Sequence, residues 1–393
     1  MKICFTVAEY NPFHNGHKKH LDYIRNELKP DYIVVVMSGD FTQRGEIAIT
    51  DKYTRAVHAV TAGADAVIEL PTVFATANAE IFAKGAIKLM NYVKGEHCIC
   101  FGSESAEKDK LLATAKAIID ADDDKEYAKL VKEEAKAGVP VIQAKCSALK
   151  RLGSDNIDFG LFIGANNALA LEYTKAIIQS KSKLEVFPII REGADYNDDT
   201  LYKNFSSATA IRKAIKEGKL KKIKSNVPDF VYKDLIKGVY PDVDDFIFYS
   251  ALKSTRAELK SVADCTEGLE NRIKALMRDC DSLECLKSKL KTKRYPYTRL
   301  SRILLSNMLG ISEAFTKKCL SSELYLKVLA AKKDGKILSD LQKFSYAPLI
   351  TRKSDLEKLS GVANDCFRKD VYALEVFDYA TKRKTNEYEM KLV

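Results

Sequence analysis

The chain of 393 residues has no uninterrupted apolar run of about eighteen residues, the length that a membrane-spanning helix requires. It has no Cys-x-x-Cys pair, and its nine cysteines are scattered, so the sequence predicts no zinc site. A strand-like segment follows Met1 almost directly and leaves no room for a signal peptide. We therefore expect a cytoplasmic protein without a membrane partner, whose cysteines are reduced.

Histidine is also scarce, with five in the whole chain, yet three of them stand close together at His14, His17 and His20. Residues 2–8 just before them are mostly apolar and predict a strand that is buried on both faces. Residues 16–28 carry apolar side chains at helical spacing. The imidazoles therefore fall in the first turn of a helix that follows the first strand.

A helix start of this kind favours a phosphate group, because its backbone N–H groups are unpaired and its dipole end is positive. Gly16 lets a ligand approach the backbone closely, and His14 and His17 lie on one helical face. Both can donate hydrogen bonds to oxygens around a phosphorus atom as charge builds there. The alternatives are a His-x-x-His-x-x-His metal site and a solvated helix, but the strand–turn–helix context favours phosphate.

A second segment of this type is Ser-Ser-Ala-Thr-Ala-Ile-Arg at residues 206–212, which opens another predicted helix. Ser206 or Ser207 is a candidate N-cap. Hydroxyl groups and the guanidinium of Arg212 at a helix start form a further candidate phosphate site. A capped basic helix without a ligand is the alternative for this segment taken alone.

Together, residues 14–17 and 207–212 resemble the HxGH and SSTxIR-type signatures of the nucleotidyltransferase superfamily, with Ala208 in place of the usual second serine. More of the chain resembles the bacterial tRNA(Met) cytidine acetate ligase family. The segments that carry this resemblance are residues 8–17, 37–46, 69–71, 101–104, 166–169, 293–295 and 299–305. The likeness extends over nearly the whole chain.

The resemblance implies a two-step reaction. ATP, with Mg²⁺ on its phosphates, and acetate give acetyl-adenylate and pyrophosphate. The acetyl group then passes to the N4 amine of the wobble cytidine of elongator tRNA(Met). The implied catalytic residues are His14, His17, Thr209 and Arg212. The implied ATP-binding residues are Val7, Ala8, Glu9, Tyr10, Asn11, Pro12, Phe13, His14, Asn15, Gly16, His17, Lys18, Lys19, His20, Gly102, Asn166, Asn167, Arg191 and Ser207, with the choice between the two asparagines left open.

The charge balance suits a polyanionic partner, since 64 lysines and arginines outnumber 54 acidic residues and give a net charge of +10. One basic run contains no acidic residue and is interleaved with Tyr295 and Tyr297. Such a run can follow an RNA backbone and stack on bases, although a solvated helix face is the alternative. The candidate tRNA-binding residues in it are Lys291, Lys293, Arg294, Arg299 and Arg302.

The order of elements predicts an α/β fold: a Rossmann-like nucleotidyltransferase domain with a parallel sheet over residues 1–225, then a helix-rich, basic, tRNA-binding domain over residues 226–393. The strand candidates are residues 2–8, 32–37, 65–69, 97–101 and 184–190. Residues 323–331 fit either a helix or a strand. Five positions follow the strand candidates, and we expect them to converge on one crevice: His14, Ser38-Gly39, Glu69, Gly102 and Arg191.

Two other functions share part of this pattern. A small-molecule adenylyltransferase would use both phosphate segments, but it would not explain the basic second half. A non-catalytic tRNA-binding protein would explain the basic half, but it would not need intact phosphate segments. A class I aminoacyl-tRNA synthetase is disfavoured, because no convincing Lys-Met-Ser-Lys-Ser loop is present. The sequence leaves the oligomeric state and the acetate pocket open.

Overall fold

The computed structural model describes residues 1–104, 107–122, 124–136, 139, 141–153, 157–162, 164–190 and 200–393. These residues contain eight strands: β1 (Ile3–Ala8), β2 (Tyr32–Ser38), β3 (Ala66–Leu70), β4 (Cys98–Ser103), β5 (Glu185–Ile190), β6 (Leu326–Ala331), β7 (Leu349–Ile350) and β8 (Lys391–Leu392). All belong to one sheet with the order β5-β4-β1-β2-β3-β6-β7, and β8 pairs with β6.

The five strands of the first half are parallel, so their carboxyl ends meet at one edge of the sheet. The chain begins in the middle of the sheet, builds β2 and β3 on one side, and then crosses to build β4 and β5 on the other. The reversal lies between β1 and β4, which is where open α/β sheets bind ligands. The predicted α/β fold class and all five predicted strands are confirmed.

Helices surround this sheet in the described part of the chain. The α-helices are α1 (Asn15–Tyr23), α2 (Lys52–Thr61), α3 (Thr72–Ala75), α4 (Ala79–Met90), α5 (Lys108–Asp122), α6 (Lys125–Lys136), α7 (Val141–Arg151), α8 (Ala165–Gln179), α9 (Ala208–Lys216), α10 (Asp229–Leu235), α11 (Asp244–Lys253), α12 (Arg256–Ser261), α13 (Leu269–Leu276), α14 (Leu283–Leu290), α15 (Tyr297–Leu309), α16 (Glu313–Ser321), α17 (Ile337–Phe344) and α18 (Gly361–Thr381). A π-helical turn, Ile24–Leu28, extends α1. None of the described helices is both long and apolar enough to cross a membrane.

Both faces of the sheet are covered, because alternate residues of each strand enter different hydrophobic cores. Phe5 of β1 lies in the core under α4, α5 and α8. Its neighbour Cys4 lies in the core under α1, α2, α9 and α10. This double burial explains why the central strands read as nearly continuous apolar runs instead of alternating ones.

The segment that fitted either a helix or a strand forms β6, and all six of its residues are buried. It pairs antiparallel with β3 and so extends the parallel sheet with a strand from the second half of the chain. Most of that half is helical, as predicted, but β6, β7 and β8 join the sheet of the first half. The domain boundary at residue 225 stays a prediction.

Candidate active site

A cavity of about 520 Å³ lies at the carboxyl edge of the sheet, beside the ends of β1, β4 and β5. It therefore occupies the place where the strand order reverses. Both predicted phosphate segments contribute to its wall. The described residues that line it are Thr6, Val7, Ala8, Glu9, Tyr10, Asn11, His14, Gly16, His17, Lys19, His20, Tyr23, Gln43, Arg44, Phe82, Phe101, Gly102, Asn166, Leu169, Tyr173, Pro188, Ile189, Ile190, Phe205, Ser206, Ala208, Thr209 and Arg212.

His14 and His17 cap the start of α1 reciprocally. His14 Nδ1 accepts a hydrogen bond from the backbone N–H of Gly16 at 3.1 Å, and His17 Nδ1 accepts one from the backbone N–H of His14 at 3.2 Å. Because each Nδ1 acts as an acceptor, each neutral ring carries its proton on Nε2. The capping geometry thus leaves Nε2–H as the donor position of each ring, and both residues line the cavity.

The two imidazole rings stack with their centroids 3.7 Å apart and their planes 22° apart. The ring of Tyr10 packs edge-on against His17 at 4.8 Å. Tyr10 has a positive φ of 48° and precedes the cis peptide bond between Asn11 and Pro12. Burial raises the pKa of Tyr10, so its hydroxyl stays neutral and its ring serves as packing for the imidazole pair.

The first phosphate segment is tied to a distant part of the chain. The backbone N–H of Asn15 donates to the carbonyl of Asn226 at 3.0 Å. The side-chain amide of Asn15 donates to the carbonyl oxygens of Ser225 at 2.8 Å and Asn204 at 3.1 Å. These bonds hold the residues around α9 against the start of α1. They satisfy backbone carbonyls that would otherwise lack partners.

The second segment meets the first at this junction. Ser207 caps α9 by accepting from the N–H of Ala210 at 3.0 Å. Arg212 Nη1 donates to the carbonyl of Asn11 at 2.9 Å, and Nη2 donates to Thr209 Oγ1 at 3.4 Å. Two helix N-termini and the guanidinium of Arg212 therefore lie around a single cavity. Residues of both phosphate segments thus line one cavity, whereas the catalytic roles assigned to them stay predictions.

Several predicted ATP-binding residues do not line the cavity. Phe13 is fully buried in a core, and Lys18 pairs with Asp22 at 2.8 Å. Asn166 lines the cavity, whereas Asn167 Oδ1 accepts from Ser103 Oγ at 2.7 Å and supports the wall from behind. Pro12 belongs to the turn with the cis peptide bond, Asn15 bonds to the carbonyl of Ser225, and Ser207 caps α9. Arg191 lies outside the described residues.

Two further expectations about strand ends are wrong. Glu69 lies within β3, next to its last residue, and it points away from the cavity into a buried group of charges. Ser38 and Gly39 follow β2, yet neither lines the cavity. Their carbonyl oxygens instead accept hydrogen bonds from the buried guanidinium of Arg55, which also binds the carbonyl of Glu9 at 2.6 Å. Arg55 thereby ties the end of β1 to the end of β2.

Sequence reasoning missed much of the wall. Arg44 and Gln43 stand in a segment that carried the family resemblance, so that segment was the signal available for them. The other missed residues are mostly apolar or aromatic and come from several separate elements. They are Thr6, Tyr23, Phe82, Phe101, Leu169, Tyr173, Pro188, Ile189, Ile190, Phe205, Ser206 and Ala208. Phe101, Leu169, Ser206 and Ala208 stand in segments already singled out by their motifs, whereas no local pattern connects the rest.

Gln43 and Arg44 are carried by a short hairpin over residues 41–47. Phe41 and Ile47 form an antiparallel bridge, and the N–H of Thr42 donates to the carbonyl of Glu46 at 2.9 Å. The inner side of the hairpin meets the site through the N–H of Gln43, which donates to Glu9 Oε1 at 2.9 Å. Its tip, at Gly45, touches the backbone of α15.

A family model described as HIGH Nucleotidyl Transferase matches residues 1–391. The tRNA(Met) cytidine acetate ligase of Caldanaerobacter subterraneus subsp. tengcongensis is 37% identical over 396 residues, which cover 98% of both chains. This chain belongs to the tRNA(Met) cytidine acetate ligase family. Crystal structures of Thermotoga maritima TmcAL, one apo and one bound with alpha-thio ATP, are each 30% identical with a TM-score of 0.90 and 100% coverage of both chains.

Below the hairpin, this family member buries a group of charges that joins both halves of its chain. Lys52 Nζ lies 2.8 Å from Glu69 Oε1 and 2.8 Å from Glu387 Oε1. Lys327 Nζ lies 2.9 Å from Glu69 Oε2 and also contacts Glu387. Burial by itself would lower the pKa of Lys52. The neighbouring carboxylates of Glu387 and Glu69 raise it by more than that, so the pKa is raised overall. Burial raises the pKa of the neighbouring Asp40 to about 7, against the opposing charge of Lys52.

The tip of the hairpin offers a test of its contact with α15. Gly45 has φ +74°, and a Cβ there would lie 2.4 Å from the backbone nitrogen of Arg302. Gly218 has φ +72° with nothing within 4 Å of its Cβ position, so Gly218→Ala adds backbone strain alone. We expect Gly218→Ala to lower the free energy of unfolding by about 1 kcal/mol and Gly45→Ala to lower it by about 2–4 kcal/mol. Urea unfolding curves measure both values. Equal losses of stability in the two variants would show that the backbone of α15 moves to accommodate the added methyl group.

Proposed function

We propose that this protein is an ATP-dependent tRNA(Met) cytidine acetate ligase. It forms acetyl-adenylate from acetate and ATP, and it then acetylates the N4 amine of the wobble cytidine of elongator tRNA(Met). The observation that carries the proposal is the meeting of His14 and His17 with Thr209 and Arg212 at one cavity. The identity to named ligases over nearly the full chain supports the same activity. Because tRNA decoding takes place in the cytoplasm, the proposal places the protein there.

In the first step, acetate must approach the α-phosphate although both are anions. The Nε2–H groups of His14 and His17 donate to the phosphate oxygens, and Thr209 Oγ1 and Arg212 act at the start of α9. These donors are held in place by caps and backbone bonds before ATP arrives. Little reorganisation is therefore needed when negative charge builds in the transition state.

Mg²⁺ enters the proposal as the ion that accompanies ATP and screens its phosphates. Within the described residues, no group of three or more histidine, cysteine, aspartate or glutamate side chains could hold an ion by itself. Glu9 is the one carboxylate among the described residues of the cavity wall. The proposal therefore assigns Mg²⁺ to the phosphates and gives it no protein ligand.

The five candidate tRNA-binding residues divide into two groups. Lys291, Lys293 and Arg294 are exposed, with Lys291 Nζ 4.9 Å from the ring centroid of Tyr297. Arg299 donates to the carbonyl of Asp264 at 2.7 Å and stacks on Tyr295, and Arg302 lies 3.9 Å from the Asp264 carboxylate. We propose that the exposed group contacts RNA phosphates and that Arg299 and Arg302 chiefly shape the surface.

Charge reversal tests this division. In Lys291→Glu/Lys293→Glu, two phosphate contacts are lost, so we expect tRNA affinity to fall about tenfold or more and the slope of log K against log salt to shrink by about 1–2. Acetyl-adenylate formation should be unchanged. Lys317→Glu/Lys318→Glu, a change of two exposed lysines on α16, alters the net charge by the same amount and controls for it. If both variants weaken binding equally, the effect belongs to overall charge and not to this surface.

The activity itself is tested with ATP, labelled acetate and unmodified elongator tRNA(Met). Labelled N4-acetylcytidine in the digested tRNA supports the ligase. Tight RNA binding without turnover, or turnover of ATP with a small-molecule substrate in place of acetate, would contradict it. An elongator tRNA(Met) transcript with uridine at the wobble position lacks the amine and controls for acetylation elsewhere.

A further inference from the structure

The charge of the cavity wall is one-sided. Its described residues include three imidazoles, His14, His17 and His20, and three basic side chains, Lys19, Arg44 and Arg212. Against these six groups stands one carboxylate, that of Glu9. The basic side chains and the imidazole N–H donors suit ATP and acetate, both of which are anions. A lone carboxylate among them serves neither anion, and this points to a part in the other half of the proposed reaction.

Glu9 is held at both ends. It directly follows β1, and its backbone carbonyl accepts from Arg55 Nη1 at 2.6 Å. Its side-chain Oε1 accepts from the N–H of Gln43 at 2.9 Å. Burial raises the pKa of Glu9, and the N–H of Gln43 together with the charges of Arg212 and Arg44 opposes that rise. The carboxylate is thus fixed in position while it stays able to bind a proton.

The acetyl transfer step requires a proton acceptor. The N4 nitrogen of cytidine forms a bond to the carbonyl carbon of acetyl-adenylate, the bond from that carbon to the phosphate oxygen breaks, and AMP leaves with the electron pair. One N4–H bond must also break. The amine is a poor nucleophile because the ring delocalises its lone pair, so a base beside it accelerates the step.

Most side chains of the wall are unsuited to that task. Arg44 and Arg212 are permanently charged and have no free electron pair. His14 and His17 use Nδ1 to accept backbone N–H groups and already carry a proton on Nε2. We propose that the Glu9 carboxylate accepts a hydrogen bond from the N4 amine of the cytidine and takes its proton during acetyl transfer. This inference rests on the proposed ligase function and assigns a catalytic residue for its second step.

The test separates the two half-reactions in the full-length protein. Acetate-dependent exchange of pyrophosphate into ATP reports the first. Synthetic acetyl-adenylate mixed with the protein and tRNA in a single turnover reports the second. Glu9→Gln keeps an oxygen acceptor for Gln43 but cannot take a proton. We expect exchange within about threefold of wild type and acetyl transfer at least about 100-fold slower, as for loss of a general base.

The pH dependence of the acetyl-transfer rate is a second measurement, and it would not change if Glu9 had only a structural role. A protonated Glu9 cannot accept a proton, so wild-type transfer should slow as the pH falls through its raised pKa. That acidic limb should be absent from Glu9→Gln and present in Glu9→Asp. Glu46→Gln removes a nearby negative charge, 3.8 Å from Arg212, and should change both half-reactions by the same factor.

The outcomes are distinct. Unimpaired transfer in Glu9→Gln, or an equal loss of exchange and transfer, overturns the assignment of Glu9. Failure of the wild-type protein to exchange pyrophosphate or to acetylate tRNA overturns the proposed function instead, and it does so independently of any variant. A selective loss of transfer together with loss of the acidic limb supports the inference.

Discussion

Replacing His17 with asparagine should lower the rate of acetyl-adenylate formation about 100- to 1,000-fold, the range found when a preorganised transition-state donor is removed. Asparagine has an Oδ1 that can still accept from the N–H of His14, as Nδ1 of His17 does at 3.2 Å. It has no donor at the position of Nε2. The substitution therefore removes the contact to phosphate while it keeps the cap of α1. The rate is measured as acetate-dependent pyrophosphate exchange.

His14→Asn is the partner variant, because asparagine is among the preferred N-cap residues and can accept from the N–H of Gly16. We expect a similar loss of exchange, with tRNA affinity within about twofold of wild type. The double variant should lose less than the product of the two single effects, because the rings are stacked and serve one phosphate. Equal losses of exchange and tRNA binding would mean that the histidines maintain the fold and do not act in chemistry.

The second large effect concerns stability. Lys52→Met removes the cation that lies 2.8 Å from both Glu69 and Glu387 in a fully buried setting. Two carboxylates would then share Lys327 alone, and we expect the free energy of unfolding to fall by about 3–5 kcal/mol, as when one partner of a buried pair is lost. Denaturant unfolding of the purified protein measures this.

Lys84→Met is the matched control, because Lys84 pairs with Glu80 at 2.5 Å on the surface of α4. That exposed pair should contribute about 0.3–0.5 kcal/mol. In Lys52→Met/Glu387→Gln, one unpaired carboxylate is also removed, so part of the lost stability should return. If Lys52→Met and Lys84→Met lower stability equally, water must reach the buried charges and screen them.

Prediction from the sequence succeeded where the information is local. Apolar periodicity placed the start of α1 a few residues after β1, although His14 was not predicted as its cap. Ser207, one of the two serines offered as the N-cap of α9, is the cap. It failed at Glu69, which lies near the carboxyl end of β3 but turns toward Lys52 and Lys327, because those two cations offer better solvation than the cavity does.

Prediction from the sequence also left open the features that depend on the direction of a side chain or on pairing with a distant segment. Adjacent Asn166 and Asn167 begin the same helix, yet one lines the cavity and the other bonds to Ser103 behind it. Residues 323–331 read as helix or strand, and pairing with β3 makes them a strand. In both cases the neighbours that decide the outcome are far away in the chain.

By itself, the sequence determined the α/β class, the starts of the two helices and the choice of the groups proposed to meet phosphate, because these depend on backbone periodicity and on residue types over a few positions. Only the tertiary structure decided that the two segments share a cavity, that aromatic side chains from separate helices complete its wall, and that Glu9 is the one carboxylate among its described residues. The physical reason is that long-range packing and the pairing of buried charges select side-chain directions that no local pattern encodes.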